Sequence, residues 1–153
     1  MILLKIFSMK KILRTRNFCL LVFILAANLV YAQDKKDYFT IENYYKVKWG
    51  FADEFINLWK VNHYPLLKKA IDKGDIISVE AEKPKLHSGE DTRFDFKVTI
   101  VFKNEKLAFD PNLTKQYEKQ LYPDLEKLKK DEQHRFELLI AHWDVMIEKI
   151  ELQ

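Results

Sequence analysis

The stretch Phe55-Ile-Asn-Leu-Trp59-Lys-Val-Asn-His63-Tyr-Pro65-Leu66 decides the fold. Phe55 and Trp59 stand four residues apart and the apolar stripe resumes at Leu66 and Leu67, a spacing that predicts an amphipathic helix. His63 falls on that same stripe, between Trp59 and Leu67. Pro65 has no backbone N–H, so the Val61 carbonyl loses its helical donor and is expected to face His63 or a ligand.

Outward from this stretch, Asp53 and Glu54 lie in the first turn, Lys68, Lys69 and Lys73 in the last, and Gly74 where a helix C-cap belongs. The expected core stripe is Phe51, Phe55, Trp59, Leu66, Leu67 and Ala70 or Ile71. Upstream, Ile41, Asn43, Tyr45, Val47 and Trp49 alternate with Glu42, Tyr44, Lys46 and Lys48, which is a strand pattern ended by Gly50. Downstream, Ile76 to Ala81 reads as a short strand, and a polar connection from Glu82 to Thr92 follows. Phe94, Phe96, Val98, Ile100 and Phe102 then alternate with Asp95, Lys97, Thr99 and Val101. Asp110-Pro111 is an N-cap acceptor followed by proline, a helix start, and helical sequence runs to about Ala141 with a kink or restart at Pro123. Leu121, Leu125, Leu128, Phe136 and Leu139 are its expected buried residues. Trp143 to Leu152 closes the chain as a strand.

The order β-α-β-β-α-β is the split βαβ, ferredoxin-like plan, an α+β fold with an antiparallel sheet and helices on one face. Tyr44 and Val101 then fall on the other face, and Trp49 and Phe94 are bulky even for a core. Two such sheets packed face to face would hide the exposed side in a homodimer.

Residues 1–32 have the parts of a secretory signal peptide. Lys5, Lys10, Lys11, Arg14 and Arg16 supply the positive start, the apolar run extends from Cys19 to Val30, and Val30-Tyr31-Ala32 offers a cleavage site. The apolar run is short of the roughly 20 residues a spanning helix needs. Residues 33–153 are expected to form a single domain, exported to the periplasm or beyond, with no membrane attachment after cleavage. The leader holds five of the 26 basic residues and none of the 23 acidic ones, so the basic surplus disappears with it. No nucleic-acid footprint is left. The one cysteine also lies in the leader, which excludes disulfides and thiolate chemistry from the domain.

His63 has a side chain suited to proton transfer near neutral pH, as a cyclase or isomerase requires, and is equally suited to ligand contact or to a structural hydrogen bond. Tyr45 and Asn43 are expected to point the same way from the first strand, where a tyrosine hydroxyl beside a histidine can orient an enol or phenol oxygen. His87, His134 and His142 lack the spacing that puts two imidazoles on one ion, so no metal is expected, and they read as solvated. With three glycines there is no phosphate-cradling loop, and no cofactor is expected. The run from Glu118 to Arg135 mixes both charge signs and reads as a solvated helix face.

The first helix is similar to the F-x3-W-x3-H-x-P-L helix of the EthD-like branch of the dimeric α/β-barrel superfamily. Lys48-Trp-Gly-Phe-Ala-Asp-Glu-Phe55 resembles the strand-to-helix entry of the NIPSNAP group. The resemblance implies a cavity between sheet and helices, used in different members for polyketide cyclisation or dehydration, lactone isomerisation, cofactor-free oxygenation or haem chemistry. It carries over His63 as acid or base and Trp59 as a wall. The chain departs from the family in its leader, in its long charged second helix and in lacking a matching haem-ligand pattern. The expectation is an exported homodimer that binds a small apolar or aromatic molecule in that cavity. The alternatives are a cofactor-free cyclase, isomerase or monooxygenase using His63, and a structural module whose cavity is filled by Trp59, Tyr45 and the strand phenylalanines.

Overall fold

A computed structural model describes residues 38–86, 88–150 and 152; the leader expected over 1–32, and His87, lie outside the described residues. Four strands, β1 (Phe39–Val47), β2 (Ile76–Glu82), β3 (Phe96–Phe102) and β4 (Leu139–Ile147), form one sheet in the order β2-β3-β1-β4. Every neighbouring pair is antiparallel. Helices link β1 to β2 and β3 to β4, which is the ferredoxin-like plan.

Strand alternation sends Tyr45 and Val47 of β1, Phe96, Val98, Ile100 and Phe102 of β3, and Ile76 of β2 to the helix side, where they are buried with Phe55, Trp59, Leu67 and Ala70. Rings do much of the packing: Phe55 lies 5.2 Å from Tyr45, and Trp59 meets Phe96 edge-on at 5.2 Å. Cover stops at β1. Strand β4 is exposed along nearly all its length.

The first helix begins as α1 (Ala52–Leu58), widens into a π turn over Trp59–His63, and continues as α2 (Tyr64–Lys73). Inside the wide turn the Tyr64 N–H reaches back to the Trp59 carbonyl. Pro65 leaves the Val61 carbonyl without its α-helical donor, as expected, and a side chain from the second connection takes the donor's place. The Tyr122 hydroxyl, 3.0 Å from the Val61 oxygen and 2.9 Å from that of Asn62, donates its proton there. Gly74 ends the helix in the left-handed region at φ 80°.

Several boundaries move from their expected places. Trp49 lies in the turn after β1, stacked on the Arg93 guanidinium at 4.0 Å, and Phe51 precedes the helix with its ring exposed. Strand β3 starts at Phe96, because Asp95 is drawn into a clamp: its carboxylate accepts the Val47 N–H at 2.8 Å and holds buried Arg93 at 2.9 and 3.0 Å. The long second helix is broken into short pieces. Asn104 caps α3 (Glu105–Ala108), a 3-10 turn covers Lys115–Tyr117, α4 spans Glu118–Leu121, and Asp124 caps α5 (Leu125–Glu137). Asp110-Pro111 starts no helix, and Pro123 separates α4 from α5, where it cannot donate to a helical ladder. Phe136 is 55 % exposed while its neighbour Arg135 is 4 % exposed, so the buried face of α5 runs one residue out of the expected phase. The last strand begins at Leu139 and ends at Ile147, earlier than expected.

Tyr122→Phe removes the donor to the Val61 carbonyl and is expected to lower stability by about 1 kcal/mol. The loss is read as a shift in urea midpoint at unchanged slope. In a Pro65→Ala background the new N–H can take that carbonyl, so the second substitution should cost less there; equal losses in both backgrounds would contradict this account.

Candidate functional site

Tyr45 and His142 are register partners across β1 and β4, and their rings stack at 4.4 Å with planes 8° apart. On the helix side Trp59 is 2 % exposed, with the His63 ring 5.8 Å away and that of Tyr64 at the same distance on a shallower tilt. Arg135 comes from the last turn of α5, its guanidinium 5.8 Å from the Phe55 ring and 4.8 Å from that of Phe136. His134 fixes α5 to α1 through a 2.7 Å contact with Glu54. Tyr45, Trp59, His63, Arg135 and His142 therefore gather where helix cover ends and β4 begins.

Burial pushes the Tyr45 phenol up to about 12, against the nearby Arg135 charge, which pulls it down. The Trp59 indole N–H also draws it down slightly, although the contact falls short of a hydrogen bond. Burial holds His63 down at about 4, and the positive charge of Arg135 and the presence of His142 push the same way. At neutral pH His63 is thus an uncharged imidazole and Tyr45 a protonated phenol. Burial also lowers Arg135, while Tyr45 and Glu132 raise it.

The expected site residues divide. Tyr45, Trp59 and His63 come together. Asn43 does not join them, because its amide donates to the carbonyl of Val98, its register partner, at 3.1 Å. Two members of the cluster are absent from the sequence-based set. His142, read as solvated, stacks on Tyr45 and lies 3.2 Å from Asp144. Arg135 ends a mixed-charge run that reads as surface, and only the helix phase buries it. A separate cleft of about 270 Å³ lies between the β1–α1 turn and the β2–β3 connection, lined by Trp49, Asp53, Lys83, Leu86 and Arg93 among others and by none of the cluster. Among the described residues no helix is long and apolar enough to cross a membrane, and no group of three His, Cys, Asp or Glu side chains stands ready to hold a metal ion.

No family model matches the sequence, and no curated protein does. Solved structures are similar in fold. A dimeric ferredoxin-like protein from an uncultured marine organism is 6 % identical with a TM-score of 0.48, over 81 % of this chain and 98 % of that one. A NIPSNAP family protein from Agrobacterium tumefaciens is 10 % identical with a TM-score of 0.44, over 74 % and 94 %. SnoaB, a cofactor-independent oxygenase from Streptomyces nogalater, is 9 % identical with a TM-score of 0.42, over 76 % and 96 %. The expected likeness to dimeric ferredoxin-like and NIPSNAP proteins agrees with these neighbours, and the strand order itself establishes the fold.

His63 gives the site a pH signature. Its pKa is 6.5 when unperturbed and about 4 here, so between those values the unfolded chain binds a proton that the folded chain does not. The resulting stabilisation is complete above the upper value and is lost as pH falls towards the lower one, at up to about 1.4 kcal/mol per pH unit. In His63→Gln the stability curve should be flatter by that amount across this window, as measured by urea unfolding at each end. Parallel curves would contradict the half-buried, neutral state of His63.

Proposed function

We propose that this is an exported, homodimeric protein that binds a small aromatic or apolar molecule against Tyr45, Trp59 and His63. The observation that carries the reading is the convergence of these three side chains around a buried Trp59 indole N–H that has no hydrogen-bond acceptor among the described residues. Cores built for packing alone pair their buried donors, so an open donor among aromatic rings favours a ligand-binding surface over a filled structural core.

Acid–base catalysis fits less well. A general acid or base works best with a pKa near the working pH, and this site drives its two candidates apart, His63 down to about 4 and Tyr45 up to about 12. At neutral pH the first is a weak base and the second a weak acid. Both remain good hydrogen-bonding groups, which suits recognition.

Dimerisation is supported by the sheet face away from the helices. Tyr44 stacks on Trp143 at 5.4 Å with parallel planes and meets Phe94 edge-on at 5.2 Å, and Trp143, Val145 and Ile147 stay well exposed around them. Strand alternation and register put Tyr44, Trp143, Val145 and Ile147 on this face, and a second sheet would remove them from water. Export rests on the basic start, the apolar run and the small residues of the leader.

Native mass spectrometry of the protein from an exporting host tests the three parts together. The expected species begins at Gln33, has twice the subunit mass and carries retained small-molecule mass. Trp143→Lys is expected to shift it to monomer. A chain still beginning at Met1 would overturn export, and a wild-type monomer would overturn the paired sheets.

A further inference from the structure

Arg135 is 4 % exposed, and among the described residues its guanidinium has neither a hydrogen bond nor an ion pair. Its contacts are the faces of Phe55 and Phe136. Such cation–π contacts are worth about 0.5 to 2 kcal/mol, whereas an uncompensated buried charge costs several kcal/mol. The rings therefore do not balance the charge. Glu132, three residues earlier on α5, is the carboxylate whose charge acts on it, yet it makes no ion pair with it. Burial raises Glu132 itself, and the Arg135 charge pulls it the other way. Every other group known to act on Arg135 belongs to the cluster.

The Tyr45 hydroxyl is where these influences meet. The Arg135 charge and the Trp59 indole N–H both bear on it, from α5 and from the π turn. The Nε of Arg135 and the Nε1 of Trp59 are both buried donors without acceptors among the described residues. Two orphaned donors and a positive charge therefore surround one phenol, and the carboxylate that acts on that phenol, Asp144, is engaged by His142 at 3.2 Å and makes no ion pair with Arg135. His63 and His142 stand beside it, and the uncovered strand β4 gives it an open side.

We propose that the bound molecule is a small organic acid whose carboxylate, or other oxyanion, takes Arg135 and the Trp59 indole N–H as its donors beside the Tyr45 hydroxyl. This inference rests on the binding reading above and narrows it from aromatic or apolar molecules to anionic ones. Charge-assisted bonds of this type are about twice as strong as neutral ones, which sets the preference for an acid over an alcohol of the same shape.

The probes are benzoate and benzyl alcohol, of similar size, the first anionic and the second uncharged, titrated calorimetrically into the dimer at neutral pH and low salt. Benzoate is expected to bind wild type more tightly than benzyl alcohol by about tenfold or more, with the preference abolished in Arg135→Met. Equal binding of the two probes to wild type would overturn the acid and leave the binding site standing, while binding of neither would overturn both. The wild-type comparison needs no variant. Arg135→Met is itself expected to fold with unchanged or higher thermal stability, since a well-packed apolar side chain replaces an unpaired buried charge. A clear loss of stability on that substitution, with the benzoate preference retained, would assign Arg135 to packing.

Discussion

Helix cover on only one face of a four-stranded sheet is the constraint from which the other features follow. The core must lie between that face and the helices, and it does: Phe55 and Trp59 press on Tyr45 and Phe96 while Val47, Val98 and Ile76 fill the spaces around them. The opposite face keeps Tyr44, Trp143, Val145 and Ile147 with no layer above them among the described residues. The cover also ends before β4, so the last strand is half-dressed on both sides. The chemical groups collect at that seam.

The seam depends on a local irregularity. A regular α-helix through Trp59 and His63 would meet Pro65 with a missing hydrogen bond; the chain instead widens into a π turn and hands the freed Val61 carbonyl to Tyr122. Wide turns of this kind are common at functional sites. The same segment thereby presents Trp59 and His63 to the seam and anchors the connection that leads to α5. Helix α5 in turn brings Arg135 over Phe55. One irregular turn and one out-of-phase helix together place an aromatic wall, an uncharged imidazole and an unpaired cation around the Tyr45 hydroxyl.

Most of the fold was legible because hydrophobic period is the signal that tertiary packing reads. The alternation in β1 and β3 and the Phe55–Trp59–Leu66 stripe each mark a buried face, and Gly74 marks a real stop. Tyr45, Trp59 and His63 were legible for the same reason, being on those faces. Asn43 shared the parity of Tyr45, but its amide can reach a neighbouring strand carbonyl, and side-chain alternation is silent about that choice. The second half of the connection is less legible. Its charges are dense and of both signs, so nothing in the pattern distinguishes Arg135 from the exposed lysines around it, and Phe136 looks like the better core residue. Only the helix start set by Asp124 and Pro123 fixes which of the two turns inward. His142 was hidden in a similar way, since a histidine in an exposed strand gives no sign that a tyrosine ring lies against it.

The central claim is that Trp59 and Arg135 jointly form the donor side of an anion site, and the nitrogen-bound protons themselves report on it most directly. The chain has three tryptophans, Trp49, Trp59 and Trp143, so three indole N–H signals serve as site and controls in one ¹H–¹⁵N spectrum. On adding benzoate the account predicts that the Trp59 indole and the Arg135 Nε–H signals move together towards stronger hydrogen bonding while the other two indoles stay in place. Saturating benzoate that leaves Trp59 and Arg135 unmoved would contradict it.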